Sequence, residues 1–92
     1  MKSIELYTCP CCGYKTLEID TPGSFEICPI CYWEDDNVQF DDPNYEGGAN
    51  ETSLYQAQRN FLEFGASSSN YIKSVRKPTS KDIQDINFKI IK

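Results

Sequence analysis

The chain has 92 residues, of which 39% are hydrophobic and 25% charged, and it contains six Tyr, five Phe and one Trp. This share of large apolar side chains excludes a disordered polypeptide, and the length is that of one modest domain, which we assign to residues 1–92. Nine basic against fourteen acidic residues give a net charge of −5, which disfavours nucleic acid as a partner because such binding depends on Lys and Arg. The sequence has no run of the roughly 20 apolar residues that a membrane span needs, and residues 1–7 lack the apolar core of a signal peptide. We therefore expect a cytoplasmic protein that does not enter membranes.

Three short strands are predicted in the first third of the chain. Residues 4–8 and 14–20 alternate apolar and polar side chains, which is the period of a half-buried strand. A Pro-Gly pair at 22–23 predicts a turn, after which residues 25–27 return as a third strand. Residues 1–33 would thus form a module of two cysteine knuckles carried on hairpins.

Residues 34–52 lose this periodicity and become acidic, with the runs Glu34-Asp35-Asp36 and Asp41-Asp42. The pattern predicts one long loop beside the cysteines, and loops of this length in compact domains are usually functional or mobile. The carboxylates do not follow the spacing of a calcium-binding EF-hand loop. They form either a solvated surface or an acidic surface that meets a basic partner.

A helix is predicted over residues 54–64, inside a capped segment 53–65. Ser53 followed by Gln56 has the spacing of a capping box, in which the hydroxyl accepts from a backbone N–H and the amide side chain reaches back. Gly65 stands where a left-handed C-terminal cap is needed. The apolar stripe of the helix consists of Leu54, Ala57, Phe61 and Phe64.

Residues 66–92 are predicted as an irregular tail that begins with a polar, serine-rich connection. Its last apolar residues fit either a helix (Ile83, Ile86 and Ile90) or a strand face (Ile86, Phe88 and Ile90). We expect a short helical turn after Ser80 and then a strand.

The clearest motif is formed by four cysteines in two C-P-x-C pairs separated by fifteen residues: Cys9, Cys12, Cys28 and Cys31. Cytoplasmic thiols are kept reduced, so clustered cysteines indicate metal binding or redox chemistry in preference to disulfides. Zinc takes four thiolates tetrahedrally, and the spacing lies in the range typical of zinc sites. Four sulfurs leave no open coordination position, and the chain has no His, so we predict one structural zinc ion in place of a catalytic one.

Three alternatives around this motif stay open. A redox dithiol is disfavoured, because its nucleophile usually lies at a helix N-terminus and strand-like residues follow Cys12. Cys11 is a small buried side chain, an alternative ligand or a reactive thiol. Trp33 either packs over the metal module and joins it to the helix or, with Tyr32, is an exposed anchor for a partner.

With these motifs, the chain resembles the bacterial cysteine-rich CPCC family over residues 7–78. The matching stretches are Cys9-Pro10-Cys11-Cys12-Gly13-Tyr14-Lys15-Thr16-Leu17, residues 23–36, Gly47-Gly48-Ala49-Asn50, the positions Ser53, Leu54, Ala57, Arg59, Asn60, Phe61, Phe64, Gly65 and Ala66 in and after the helix, and Val75-Arg76 with Pro78. The resemblance implies a small zinc-ribbon-like cytoplasmic protein without an assigned activity. It also implies that Gly47-Gly48-Ala49-Asn50 belongs to the same unit, as a turn that leads into the helix.

The patterns together predict a small α+β fold in which zinc-ribbon-like β-hairpins carry a C-terminal helix packed on them. For function we expect a non-enzymatic protein-interaction module with a basic protein partner, for example an immunity or antitoxin protein that masks a basic nuclease-type toxin. One alternative is a nucleic-acid-binding zinc ribbon. Its basic patch would consist of Arg59, Lys73, Arg76, Lys77 and Lys81. The other alternative is a thiol or metal-handling enzyme that uses Cys11.

Overall fold

The protein is built from one short hairpin followed by two helices, and a computed structural model describes its residues 5–92. In chain order the elements are strand β1 Tyr7–Thr8, strand β2 Lys15–Leu17, helix α1 Asn37–Asp41, helix α2 Leu54–Phe64 and a 3-10 helix at Ser69–Tyr71. The predicted α+β class is confirmed in this form. Within residues 5–92, no helix has the length and apolar character needed to cross a membrane.

Strands β1 and β2 form the hairpin. They pair antiparallel, with Tyr7 opposite Leu17, Thr8 opposite Lys15 and an irregularity between the two pairs. The strands predicted at 4–8 and 14–20 are confirmed in type but are shorter, and Ile4 lies outside the described residues. The pairing stops at Leu17, and Ile19 is 56% exposed.

The third strand predicted at residues 25–27 is wrong. Phe25 has a φ of 59°, which lies in the left-handed region and not in the extended region of a strand. Ile27 forms only an isolated bridge, with Glu34. The backbone that leads into this segment is held by Asp35, whose Oδ2 accepts from Ser24 N at 2.9 Å and from Ser24 Oγ at 2.7 Å. A buried carboxylate distant in sequence therefore overrides the local period-2 pattern.

The segment 34–52, predicted as an acidic loop, contains α1 and two buried carboxylates. Asp36 caps α1: its Oδ1 accepts from Val38 N at 2.8 Å, and its Oδ2 accepts from Ala49 N at 2.9 Å. Asp36 is 4% exposed and Asp35 is fully buried. A solvated acidic surface is thus wrong for these two residues, because both are buried and three of their four carboxylate oxygens accept from N–H or O–H groups of the chain. The fourth oxygen, Asp35 Oδ1, has no partner within the described residues. The exposed acids of the segment are Asp41, Asp42, Glu46 and Glu51.

A buried amide pair ties the two ends of this segment together. Gln39 is fully buried, and its Nε2 donates to the carbonyls of Tyr45, Asn50 and Thr52 at 3.1, 3.0 and 3.1 Å. Its Oε1 accepts from Asn50 Nδ2 at 2.9 Å, and that amide also donates to Glu34 O at 2.7 Å. The segment is therefore closed by hydrogen bonds of its own side chains.

The turn Gly47-Gly48-Ala49-Asn50 lies against this network. Gly47 has a φ of 82°, a conformation that favours glycine. A Cβ at Gly48 would lie 2.6 Å from Asp36 Oδ2 and 2.9 Å from Gln39 Cδ. The absence of a side chain at Gly48 thus allows the turn to pack closely on Asp36 and Gln39 before α2 begins.

Helix α2 begins and ends where the sequence predicts. Ser53 Oγ accepts from Gln56 N at 3.1 Å. Gly65 has a left-handed φ of 83°, and its N–H donates to Phe61 O at 2.9 Å. Only half of the capping box forms, because Gln56 Nε2 donates to Asn60 Oδ1 at 2.8 Å instead of reaching back.

Replacing Ser53 with Ala is expected to lower the free energy of unfolding by about 1 kcal/mol, because Gln56 N–H loses its acceptor at the start of α2. Ser53 is only 6% exposed, so water replaces the hydroxyl poorly. Urea denaturation of the metal-loaded protein measures the change. Ser80→Ala, at an exposed turn, is the control and should stay within about 0.5 kcal/mol of the parent. Equal stability of the two variants would contradict the capping role.

The core lies between the cysteines and one side of α2. Its members are Cys9, Cys11, Cys12, Leu17, Cys28, Ile30, Cys31, Trp33, Leu54 and Ala57. Phe61 packs against this cluster while partly exposed. Gln58, also on α2, is buried and donates from Nε2 to Pro10 O at 2.9 Å. The helix is thus held to the first cysteine pair by apolar contact and by one amide.

The tail returns to the hairpin. After Ser80 the sequence predicts a helical turn and then a strand; the described chain has a turn there, in which Asp82 N donates to Thr79 O at 3.0 Å, and no helix or strand element follows it. Its backbone bonds to the hairpin are Lys15 N to Ile83 O and Asp85 N to Gly13 O, each at 2.8 Å. Gln84 forms an isolated bridge with Tyr14. The path of the tail is set by partners at the other end of the chain, which the local apolar pattern does not reveal.

Asp82 closes a turn just before this return. Its Oδ2 accepts from Thr79 N at 2.7 Å. Its two oxygens also pair with the Arg76 guanidinium at 2.8 and 2.9 Å, and this bond lowers the pKa of Asp82. Since Arg76 is 48% exposed, the pair shapes the turn more than it stabilises the fold.

Residues 83–92 form a strap across the hairpin and α2. Ile91 N donates to Gln58 Oε1 at 2.8 Å, and Arg59 donates to Ile91 O. The Phe88 ring covers Gly13, where a Cβ would overlap that ring. The strap is therefore fastened to the hairpin that carries the first cysteine pair and to the helix that packs on it.

Candidate metal centre

The first cysteine pair lies in the turn between β1 and β2. Gly13 N donates to Cys9 O at 2.9 Å, and Cys9 N donates to Tyr14 O at the same distance. These bonds curl residues 9–14 into a knuckle. Gly13 completes it with a φ of 80°, a conformation that glycine adopts without a steric penalty.

The second cysteine pair repeats this knuckle without a glycine. Tyr32 N donates to Cys28 O at 2.7 Å, and Cys28 N donates to Trp33 O at 3.0 Å. Tyr32 stands where the first knuckle has Gly13, and its φ is 69°. A left-handed non-glycine residue costs roughly 1–2 kcal/mol; the Tyr32 ring lies against Tyr71, with centroids 4.7 Å apart. The sequence does not reveal this strained residue, because no glycine marks the turn.

The four predicted ligands come together. The Sγ atoms of Cys9, Cys12, Cys28 and Cys31 lie within 4.8 Å of one another. Two close pairs cross between the knuckles, Cys9 to Cys31 at 3.5 Å and Cys12 to Cys28 at 3.7 Å. Four sulfurs at about 2.3 Å from one tetrahedral ion stand about 3.8 Å apart. The donor set therefore fits a single metal ion, and the cysteines form no disulfide within residues 5–92.

The site is closed to solvent. Its four cysteines are between 0 and 3% exposed. Thr16 on β2 has its Oγ1 3.0 Å from Cys28 Sγ, so its hydroxyl can donate to a thiolate and stabilise the negative charge. Thr16 was not a predicted site residue, because its approach to the second pair exists only once the hairpin has formed.

The sulfurs bind protons unequally when no cation is present. Burial raises the pKa of Cys9 and of Cys31. The hydrogen bond between Cys12 and Cys28 raises the pKa of Cys12 and lowers that of Cys28. A cation must therefore displace protons from buried thiols when it binds.

Metal affinity is therefore expected to rise with pH, and binding at pH 7 should release several protons per ion, because thiols must lose their protons to become ligands. Titration calorimetry with zinc in buffers of different ionisation enthalpy measures that number. Cys11→Ser, which keeps the four ligands, should release the same number. Affinity that stays constant as the pH falls, or binding without proton release, would contradict this protonation.

Cys11 lies beside the site but outside the ligand set. It is 1% exposed, and its sulfur is not part of the group of four. This position agrees with a small buried side chain in the first knuckle. A thiol so buried is closed to an external substrate, so the structure does not favour the reactive-thiol alternative.

Trp33 joins the metal module to the helix. It is 1% exposed and packs in the same cluster as the cysteines and Leu54. The prediction of a packed Trp33 is confirmed, and an exposed anchor is wrong for this residue.

Comparison with known proteins places the chain in a family. A search of the curated proteins finds no match. The sequence model of the family described as cysteine-rich CPCC matches residues 7–82. This region includes both knuckles and α2, and the strap follows it. The chain belongs to the cysteine-rich CPCC family.

Proposed function

We propose that this protein is a non-enzymatic zinc protein whose acidic half binds a basic protein partner. Zinc suits four thiolates at tetrahedral spacing in a buried site. Four sulfur ligands leave no coordination position for water or substrate, so the ion stabilises the fold and takes no part in a reaction.

The observation that carries the proposal is the separation of charge along the chain. Residues 16–58, the acidic half, contain ten of the fourteen acidic residues and none of the nine basic ones. The exposed acids of this half are Glu18, Asp20, Asp41, Asp42, Glu46 and Glu51. Such a surface speeds association with a basic protein and repels an acidic one.

Exposed apolar side chains accompany these acids. In the acidic half the large ones are Ile19, Phe25, Ile27, Val38, Phe40 and Tyr45, each between 43 and 56% exposed. Phe25 is held in its left-handed conformation with its ring in solvent. Apolar residues within a charged surface are typical of a protein-interaction site.

The basic residues support the nucleic-acid alternative less well. Arg59 donates to Tyr55 O at 3.0 Å and lies 3.5 Å from the centroid of the Tyr55 ring. Arg76 is paired with Asp82. Two of the five cations in the predicted patch are thus engaged within the chain, and phosphate would have to compete with those contacts.

A concrete form of the proposal is an immunity or antitoxin protein that masks a basic, nuclease-type toxin. Its support is the charge alone. A nuclease carries cations for its polyanionic substrate, and an acidic protein can cover that surface. A toxin gene beside the gene for this chain would add independent support.

Affinity capture tests the proposal with acids that can be changed without disturbing the fold. The zinc-loaded protein should retain a basic partner from lysate of its own cells at moderate salt. The variant Asp41→Asn, Asp42→Asn, Glu46→Gln, Glu51→Gln should retain less than about a tenth as much. Asp35 and Asp36 are left unchanged because they are buried.

The control variant Glu5→Gln, Glu63→Gln neutralises two exposed acids outside the acidic half and is compared, at equal net charge, with Asp41→Asn, Asp42→Asn. It should retain the partner as well as the parent does. Capture that survives neutralisation of the acidic half, or a captured partner that is itself acidic, would reject the proposal.

A further inference from the structure

A groove of about 460 Å³ runs between the acidic half and the strap. Its apolar lining includes Pro10, Pro22, Phe40, Pro43, Leu54 and Ile91. The volume lies within the range of about 300–1,000 Å³ that ligand sites in proteins occupy. The groove therefore has room for a large apolar side chain.

Both walls of the groove are fixed by the chain itself. On one side Asp36 caps α1 and Gln39 bonds it to the adjoining loop, which holds Phe40 in place. On the other side Thr8 Oγ1 donates to Asp85 Oδ2 at 2.6 Å and anchors the strap. A groove formed in advance loses little conformational entropy when it is filled.

Carboxylates flank one wall of the groove. Asp41 and Asp42 are exposed and lie in the chain between the lining residues Phe40 and Pro43. Asp20, also exposed, directly precedes the lining segment at 21–22. This wall therefore combines apolar contact with negative charge.

The opposite wall also carries a carboxylate. Asp85 lines the groove, and the hydrogen bond from Thr8 lowers its pKa, so that it stays ionised at neutral pH. Lys89 is the one basic residue among the lining residues in the described part of the chain. Asp85 and Lys89 balance each other within the lining, so the excess of negative charge comes from Asp20, Asp41 and Asp42 beside the first wall. It is this wall that favours a cationic ligand.

We propose that this groove binds a basic segment of the partner protein, which inserts one large apolar side chain while flanking Lys or Arg side chains meet the carboxylates. The inference rests on the proposed function and names the surface and the kind of segment through which that partner binds. An apolar anchor with cationic flanks matches both the lining and the charge. A neutral or acidic segment matches only the lining.

Three capped peptides probe the groove: Lys-Lys-Phe-Lys-Lys, Lys-Lys-Ala-Lys-Lys and Glu-Glu-Phe-Glu-Glu. Each is titrated at low salt into the zinc-loaded full chain labelled with nitrogen-15, and amide chemical shifts are followed. The first should give saturable shifts at the lining residues. The alanine peptide should bind at least about tenfold more weakly, since it lacks the apolar anchor, and the acidic peptide should give no shifts there.

Two variants separate the groove from charge alone. Phe40→Ala removes part of the lining and should weaken binding of the phenylalanine peptide at least about fivefold. Leu62→Ala is the control, because Leu62 is an apolar residue on α2 that is 66% exposed, lies outside the acidic half and does not line the groove. Its affinity should equal that of the parent.

The outcomes also distinguish this inference from the proposed function. The proposed binding in the groove is overturned if about 5 mM phenylalanine peptide causes no shift at the lining residues, or if the two variants change the peptide affinity equally. The proposed function would still stand if capture depended on the acidic half. If the peptide binds the groove but capture of the partner does not change when those acids are neutralised, the groove is supported as a binding site. The proposal of a basic protein partner is then rejected.

Discussion

Removing the metal ion is expected to unfold the protein. Half of the ten side chains in the core cluster of the described residues are cysteines. No strand pairing in the described chain joins one knuckle to the other, so the knuckles meet through side chains, with the four sulfurs among them. Structural zinc contributes about 10–16 kcal/mol in small peptides, which is comparable to the total stability of a domain, about 5–15 kcal/mol.

Circular dichroism and urea denaturation after treatment with a strong chelator under reducing conditions measure this loss. Cys28→Ser should have the same effect, because three sulfurs hold the ion much less tightly. Cys11→Ser is the control: it should bind one ion per chain and remain folded. A reduced, metal-free chain that still unfolds cooperatively at the same urea concentration would show that the ion is not needed for the fold.

Replacing Gln39 with Ala is expected to lower the free energy of unfolding by about 3 kcal/mol or more. The change leaves the carbonyls of Tyr45, Asn50 and Thr52 without the donor that now pairs with all three. It also removes one of the two acceptors of the Asn50 side-chain amide, the other being Glu34 O. Each buried polar group without a partner costs about 1–3 kcal/mol, and water can reach only some of them.

Urea denaturation of the zinc-loaded variant tests this value. Gln56→Ala is the matched control, because Gln56 is an exposed glutamine on a helix. Its stability should stay within about 0.5 kcal/mol of the parent. A similar small loss for both variants would mean that the segment 34–52 tolerates disorder without cost to the rest of the fold.

The features that the sequence predicts correctly depend on short-range chemistry. The ligand spacing in Cys9 to Cys12 and Cys28 to Cys31 needs only a tight turn around each pair. The bounds of α2 are set by Ser53 and Gly65, whose caps act on neighbouring backbone groups. Each of these features depends on residues only a few positions apart in the chain, so it can be predicted without knowing the tertiary structure.

The features that were missed depend on contacts between distant parts of the chain. α1 is only five residues long, and it is held by Gln39 reaching carbonyls that follow it. Phe25 and Tyr32 adopt left-handed conformations without being glycine, so no residue type announces them. The strap lies along the hairpin because the backbone groups of Asp85 and Ile83 bond to it. The apolar pattern of the tail does not predict that pairing.

The burial of Trp33 gives the protein an optical signal of its own. The chain has a single tryptophan, and its indole lies in the cluster that contains all four sulfur ligands. Its fluorescence should therefore shift to longer wavelength when metal loss admits water to this cluster, at micromolar protein and without any attached dye. Metal exchange and folding can thus be followed in one continuous, label-free trace.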